Sequence, residues 1–227
     1  MKTYIGTSGW SYDWNKGKSL EWYVQNSGLD AIEINATFYR FPTSASAMSW
    51  AQKGGQLRWS VKVNHSVTHH SKFGQRSEDL FRRFKEPLAP LDKNIDFYLF
   101  QLPPDFFPKD ANRISEFAGK VSLGKRFAFE PRNKEWFSPE WTEWAKDNCM
   151  TFVSVDAPDL PRNIYAANDT VYLRMHGRVS WYRYNYSEAE LEEIAEKIME
   201  VKPRRAYIFF NNDHNMLRNA RMMRGLF

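Results

Sequence analysis

The chain has 227 residues with no linker or shift in composition, which predicts one domain over residues 1–227 and suits an α/β barrel of roughly 250 residues. A single cysteine, Cys149, excludes an internal disulfide, the opening Met-Lys-Thr-Tyr-Ile-Gly-Thr lacks the apolar run of a secretion signal, and no segment approaches the roughly 20 apolar residues of a membrane span. The formal net charge of +5 favours anionic partners, and together these features predict a soluble, reduced, cytoplasmic protein.

The first strand is expected at Tyr4 to Ser8, with Gly9-Trp10-Ser11-Tyr12 turning at its carboxyl end. Ser19 suits the N-cap of a helix through Leu20, Tyr23 and Val24, and Gly28 suits its end. In Asp30 to Arg40, Ile32 and Ile34 alternate with Glu33 and Asn35, a period of two that sends apolar and polar side chains to opposite faces of a strand. Pro42 and Thr43 to Ser46 then open a second helix that ends near Gly54-Gly55. Arg58 to Asn64 is a third strand with Ser60, Lys62 and Asn64 on one side. A polar loop follows from His65 to Gln75, and a helix from Glu78 to Lys85. Phe97 to Leu102 is stopped by Pro103-Pro104, which supplies no N–H to a ladder.

Ala111 to Lys120 reads as a helix and Arg126 to Glu130 as a strand, with Ala128, Glu130 and Arg132 on one parity. Ser138-Pro139 opens a fifth helix. The strand Thr151 to Asp156 puts Phe152, Ser154 and Asp156 together. Ala157 to Asp169 is short, contains Pro158 and Pro161 and shows no helical period, so the helix after strand six is missing or reduced. Val171 to His176 sets Tyr172, Arg174 and His176 on one parity. Ser187 and Glu190 make a capping box ahead of Leu191, Ile194, Ala195 and Ile198. A last strand, Ala206 to Asn211, precedes a helix from Asn215 to Gly225 that carries Arg218, Arg221 and Arg224. Eight strands alternating with helices predict a TIM-type (β/α)8 barrel. An open doubly wound sheet would carry a Gly-rich phosphate turn after its first strand, and the spacing from Gly6 to Gly9 does not match one.

Reacting groups of such barrels sit at the carboxyl ends of the strands. Glu33, Lys62, Glu130, Asp156, Arg174 and His176 all fall there. Glu33 and Glu130 are the candidate acid–base pair with Asp156 in reserve, because one carboxyl can be held protonated while the other stays ionised. His176 is a candidate proton partner, since imidazole titrates near neutral pH. Lys62, Arg132 and Arg174 suit the clamping of a phosphate or carboxylate. Asn35, Thr37, Tyr39, His69, Gln101 and Asn211 complete the candidate binding wall. The structural alternative is a buried ion network in which Glu33 pairs with Lys62 and Glu130 with Arg174.

The sequence specifies no cofactor and no oligomeric state. A divalent metal is not favoured, because His-Glu-x-x-His and paired cysteines are absent. The mix of charges predicts an enzyme, hydrolase or transferase, using acid/base chemistry on a small anionic substrate such as a phosphate-bearing one. Two alternatives stand beside it. One is a glycosidase-like carbohydrate enzyme, given the two carboxylates and the loop aromatics Trp10, Tyr12, Trp181, Tyr182 and Tyr184. The other is a non-catalytic nucleic-acid-binding protein using the basic last helix.

A set of short motifs in collinear order spans almost the whole chain: Gly6-Thr7-Ser8-Gly9-Trp10, Glu33-x-Asn35-x-Thr37-Phe38-Tyr39-Arg40-x-Pro42, Thr68-His69, Gln101-Leu102-Pro103-Pro104, Glu130-x-Arg132, Arg174-x-His176-Gly177 and Phe210-Asn211-Asn212-Asp213. As a set they resemble the YecE-like family, domain of unknown function 72. The resemblance implies a TIM-type barrel and no established reaction. Asn133 and Glu135 stand where the family often has His and Ser, so no histidine role transfers there. Asn215 stands where Gly often follows the final Asn pair, which weakens a phosphate cradle of backbone amides at that turn.

Overall fold

A computed structural model describes residues 1–227, and its strands form one closed sheet. The parallel strands are β1 (Lys2–Ser8), β2 (Ala31–Ile34), β3 (Arg58–Lys62), β4 (Ile95–Gln101), β5 (Phe127–Glu130), β6 (Thr151–Asp156), β8 (Thr170–Met175) and β9 (Arg205–Phe210). Each pairs with the next, β6 pairs with β8, and β1 pairs with β9 to close the ring. The two-residue β7 (Ala166–Ala167) is an antiparallel arm folded onto β8. Helices α1 (Leu20–Asn26), α2 (Ser44–Lys53), α3 (Ser77–Lys85), α4 (Ala111–Val121), α5 (Pro139–Asp147), α6 (Glu188–Glu200) and α7 (Met216–Arg224) complete the eightfold pattern except between β6 and β8, where only the β7 arm stands. The barrel forms as expected, with no helix between β6 and β8.

Side-chain parity separates two cores. Ile32, Ile34, Trp59, Val61, Phe100 and Phe129 point outward into the layer beneath the helices. Ala31, Leu99, Ala128, Val153, Tyr172 and Phe209 point inward and fill the barrel. Lower in the lumen, Tyr207 stacks on Tyr4 and meets Phe97 edge-on, so rings plug this part of the barrel and the fully buried charges stand at its carboxyl end. Gly6 belongs to this packing, because a Cβ there would lie 2.3 Å from the Ala31 carbonyl oxygen.

The helix starts follow their sequence signals. Ser19 Oγ accepts from the Trp22 amide at 3.1 Å, and Ser187 with Glu190 forms the reciprocal capping box. Arg221 and Arg224 on α7 donate to carbonyls at the end of α1, among them Ser27 and Gly28, where the helix dipole favours a cation. Those arginines are therefore committed to packing one helix against another. No helix is long and apolar enough to cross a membrane.

Two segments differ from expectation. The stretch from His65, expected as loop, contains a π-helical turn at Ser66–His70, and β3 stops at Lys62 because Asn64 turns the chain by donating to the Thr37 and Phe38 carbonyls. On β6, Phe152, Ser154 and Asp156 do share a face, but it is the outer one. Phe152 packs on Phe129 and Tyr165, and Ser154 accepts from the Tyr165 amide, while Val153 takes the inward position.

Candidate functional site

Glu33, Glu130 and Arg174 stand in the last two residues of strands β2, β5 and β8, and their inward parity delivers each charge to the top of the lumen. All three are fully buried. Arg174 Nη2 lies 2.6 Å from Glu33 Oε1 and its Nε 3.0 Å from Oε2, while Nη1 reaches Glu130 Oε2 at 2.6 Å. Glu33 also accepts from Ser8 Oγ at 2.6 Å and from the Tyr172 hydroxyl at 2.7 Å. Tyr172 in turn contacts Ser60 Oγ at 2.6 Å. Ser8, Ser60 and Tyr172 were not singled out as site residues. Their only sequence signal is inward parity beside a buried carboxylate that must find donors.

Glu130 is equally saturated. It accepts from Gln101 Nε2 at 3.1 Å and from His176 Nε2 at 3.0 Å, and it forms an ion pair with Arg132 Nη2 at 2.9 Å. Burial alone would raise its carboxyl, but Arg132 and Arg174, with the His176 hydrogen bond, outweigh burial and hold it well below the usual carboxylate range. Asn211 Nδ2 lies 3.3 Å from His176 Nδ1, so an amide donor on one side and a carboxylate on the other place the imidazole proton on Nε2. Burial, reinforced by Arg132, pushes His176 down to about 3. The histidine is therefore a neutral donor that locks Glu130 in place.

Arg132 is 11 % exposed at its side chain, and its guanidinium lies 4.6 Å from the ring centroid of Trp181. Its buried Nε has no hydrogen-bond partner. Lys62 is 8 % exposed, its Nζ sits 4.2 Å from the Phe38 ring centroid, and its amine enters no hydrogen bond or ion pair. The expected Glu33–Lys62 pair is not formed because Arg174 takes both Glu33 oxygens. The expected Glu130–Arg174 pair is. Burial first, then the positive charge of Arg174 and Arg132, lowers the Lys62 amine to about 7.

The balance of charges adds to the effect of burial. Glu33 and Glu130 supply two negative charges, Arg174 and Arg132 two positive ones, and neutral His176 none. Lys62 is then a surplus cation in an already balanced lumen, and its proton has no compensating anion.

Other expected site residues are placed less centrally. Asn35 Oδ1 lies 3.4 Å from Arg174 Nη2 at the edge of the cluster. Thr37 donates to the Lys62 carbonyl at 2.6 Å and shapes the wall. His69 packs edge-on against Phe38 and contacts Thr68, and burial followed by the nearby Lys62 charge lowers it to about 4. Tyr39 is 71 % exposed and stands outside the cluster. Asp156 does not join the lumen carboxylates. It accepts from the Tyr186 hydroxyl at 2.8 Å and from Arg178 at 3.3 Å, and so anchors the loop after β8. No three His, Cys, Asp or Glu side chains converge in a way that could hold a metal ion.

One hollow borders this arrangement and another lies at the far end of the barrel. Beside Ser8 and Asn35 lies a largely aromatic one of about 310 Å³, walled by Trp10, Tyr12 and Trp50. A basic one of about 390 Å³ lies at the opposite, amino end of the barrel, among Lys2, Lys125, Arg126, Arg204 and Arg205, below the ring layer of Phe97 and Tyr207.

Known proteins share this architecture. The family described as "Protein of unknown function DUF72" matches residues 4–227. The UPF0759 protein YunF of Bacillus subtilis is 25 % identical over 251 residues, spanning 92 % of this chain and 88 % of YunF. A DUF72 family protein of Thermotoga maritima superposes with a TM-score of 0.85 at 27 % identity, over 100 % of this chain and 99 % of that one. One from Enterococcus faecalis gives a TM-score of 0.86 at 21 % identity over 99 % and 94 %. The D-psicose 3-epimerase of Clostridium cellulolyticum gives 0.60 at 13 % identity over 100 % and 96 %, a likeness of fold alone.

Proposed function

The chain belongs to the DUF72 family, and from that premise we propose that it is an enzyme that binds a small anionic substrate, phosphate- or carboxylate-bearing, at the carboxyl end of its barrel and acts on it by acid/base chemistry. The observation that carries this reading is Lys62, a residue only 8 % exposed whose amine has no hydrogen-bond or ion-pair partner, at the head of a lumen whose other charges already cancel. An arriving anion supplies the compensating charge, so binding and protonation of Lys62 favour each other. Arg132 is the second ligand, with an unused Nε donor. Near pH 7 the amine holds both forms in comparable amounts, the condition for proton transfer in either direction.

Glu33 and Glu130 take a different part from an acid–base pair. Arg174 sits between them and, with Arg132, holds Glu130 well below the usual carboxylate range, whereas a glycosidase acid must hold its proton. That argues against the glycosidase reading. The nucleic-acid reading loses its main support because Arg221 and Arg224 are spent on α1.

The test is calorimetric titration with inorganic phosphate and with acetate at pH 7.5, in buffers of differing ionisation enthalpy. Binding with net proton uptake is expected, weakened by about tenfold or more in Arg132→Gln, as for loss of a charged hydrogen bond. Arg205→Gln removes a cation from the amino-end hollow and leaves this binding unchanged. Absence of binding by either anion, or binding lost only in Arg205→Gln, rejects the proposal.

A further inference from the structure

We propose that Lys62 is a covalent nucleophile that captures the carbonyl carbon of an oxo- or aldehyde-bearing anion as an imine, with the anionic group of the same molecule held at Arg132. The inference rests on the anion-binding reading above and names the substrate class for it.

A lysine that serves only to hold an anion works best as a hydrated, permanently charged ammonium. Lys62 is built the other way. Its stem descends from the end of β3 into the lumen, its Nζ lies on the face of Phe38, and neither Glu33 nor Glu130 is free to pair with it. Arg174 and Arg132 disfavour its charge, Glu130 and Glu33 favour it, and the Lys62 charge in turn lowers His69 on the π-helical turn. Desolvation beside fixed cations is the arrangement that leaves an amine uncharged and nucleophilic at neutral pH. Burial and the neighbouring guanidiniums lower its pKa from 10.5 to about 7, so far more of Lys62 is free amine at pH 7 than of an ordinary lysine.

The step balances without an oxidant or reductant. The amine lone pair adds to the carbonyl carbon, the C=O π pair moves to oxygen, and that oxygen takes the proton shed by nitrogen to give a carbinolamine. The C–O bond then breaks, the oxygen leaves as water after taking one further proton from solvent in the mouth, and the nitrogen lone pair closes the C=N bond. The product is an iminium cation on Lys62, placed where the bound anion balances it.

The experiment uses the full chain at pH 7 with cyanoborohydride as hydride donor and either glyoxylate or dihydroxyacetone phosphate as probe, which separates a carboxylate from a phosphate handle. Intact-mass measurement is expected to show one adduct per chain, of the probe's mass less one oxygen, and peptide mapping to place it on Lys62. Lys62→Arg, which keeps a cation but cannot condense, loses that adduct. The mapping in the wild-type chain decides the matter even if the variant misfolds. No adduct with either probe, or adducts spread over exposed lysines with Lys62 unmodified, overturns the proposal. A chain that still binds inorganic phosphate in that case keeps the anion reading and loses only the imine.

Discussion

Arg174 meets Glu33 fork to fork, with Nη2 at 2.6 Å from Oε1 and Nε at 3.0 Å from Oε2, and both side chains are fully buried. Its remaining terminal nitrogen is spent on Glu130. An arginine so committed is held on both carboxylates, with Asn35 3.4 Å from Nη2, and withdrawing it would strand two buried carboxylates. It is the frame on which the freer cations, Arg132 and Lys62, are displayed.

Removing one partner of a buried charge network leaves uncompensated charge. Arg174→Met is therefore expected to cost about 3–5 kcal/mol of stability. Arg174→Lys should recover little, because an ammonium cannot form the two-pronged contact. Urea unfolding at pH 7 measures both, and a loss below about 1 kcal/mol would mean that the carboxylates are satisfied without Arg174.

Acid should unfold the protein through two groups with the same sign. His176 is held at about 3 against 6.5 for free imidazole, so it binds its proton more readily when unfolded, and stability falls as pH drops from about 6.5 towards 3. Glu130, held well below 4.5, adds stability that is lost as pH falls through and below 4.5. A melting-temperature series from pH 7 to pH 4 is expected to decline, and His176→Gln to flatten its upper part. A flat wild-type series would contradict the buried neutral histidine.

The barrel was legible because its signals are local. Alternation along Ala31–Ile34 and Thr170–Met175, the proline stop after Gln101 and the Ser187–Glu190 cap each lie within a few residues. What stayed hidden depends on distance. Arg174 reaches Glu33 across 141 residues of chain, and only the closed ring shows that it displaces Lys62 from that carboxylate. Asp156 was misplaced for another reason. Parity says which residues share a face, and Phe152, Ser154 and Asp156 do, but their mixture of ring, hydroxyl and carboxylate does not say whether that face looks into the barrel or out.

Lys62 should be a stability cost that the site tolerates. Its folded pKa is depressed, so folding is penalised below pH 10.5, and the penalty is complete once pH falls below about 7. Lys62→Met, similar in volume and without charge, is expected to be more stable than the wild type by on the order of a few kcal/mol at pH 7, with the gain shrinking as pH rises towards 10. The same variant should lose anion-linked proton uptake. A destabilised Lys62→Met would show instead that the amine has a structural partner.

The loop after β8 offers a way to disturb the mouth without touching its charges. Tyr186 donates to Asp156 at 2.8 Å and accepts from the Gly177 amide at 2.8 Å. Gly177 sits at φ +114°, and a Cβ there would lie 2.5 Å from the Ser180 carbonyl oxygen, so the turn needs a permissive residue there, beside the Tyr186 hydroxyl and the Arg178–Asp156 contact. The same loop carries Trp181 onto Arg132. Tyr186→Phe leaves a buried amide without its acceptor, at a cost of about 1–3 kcal/mol. Hydrogen exchange at the Gly177 amide is expected to accelerate, and anion affinity to fall because Arg132 loses the ring that positions it. Unchanged exchange with intact affinity would mean that other loop contacts hold Trp181 in place.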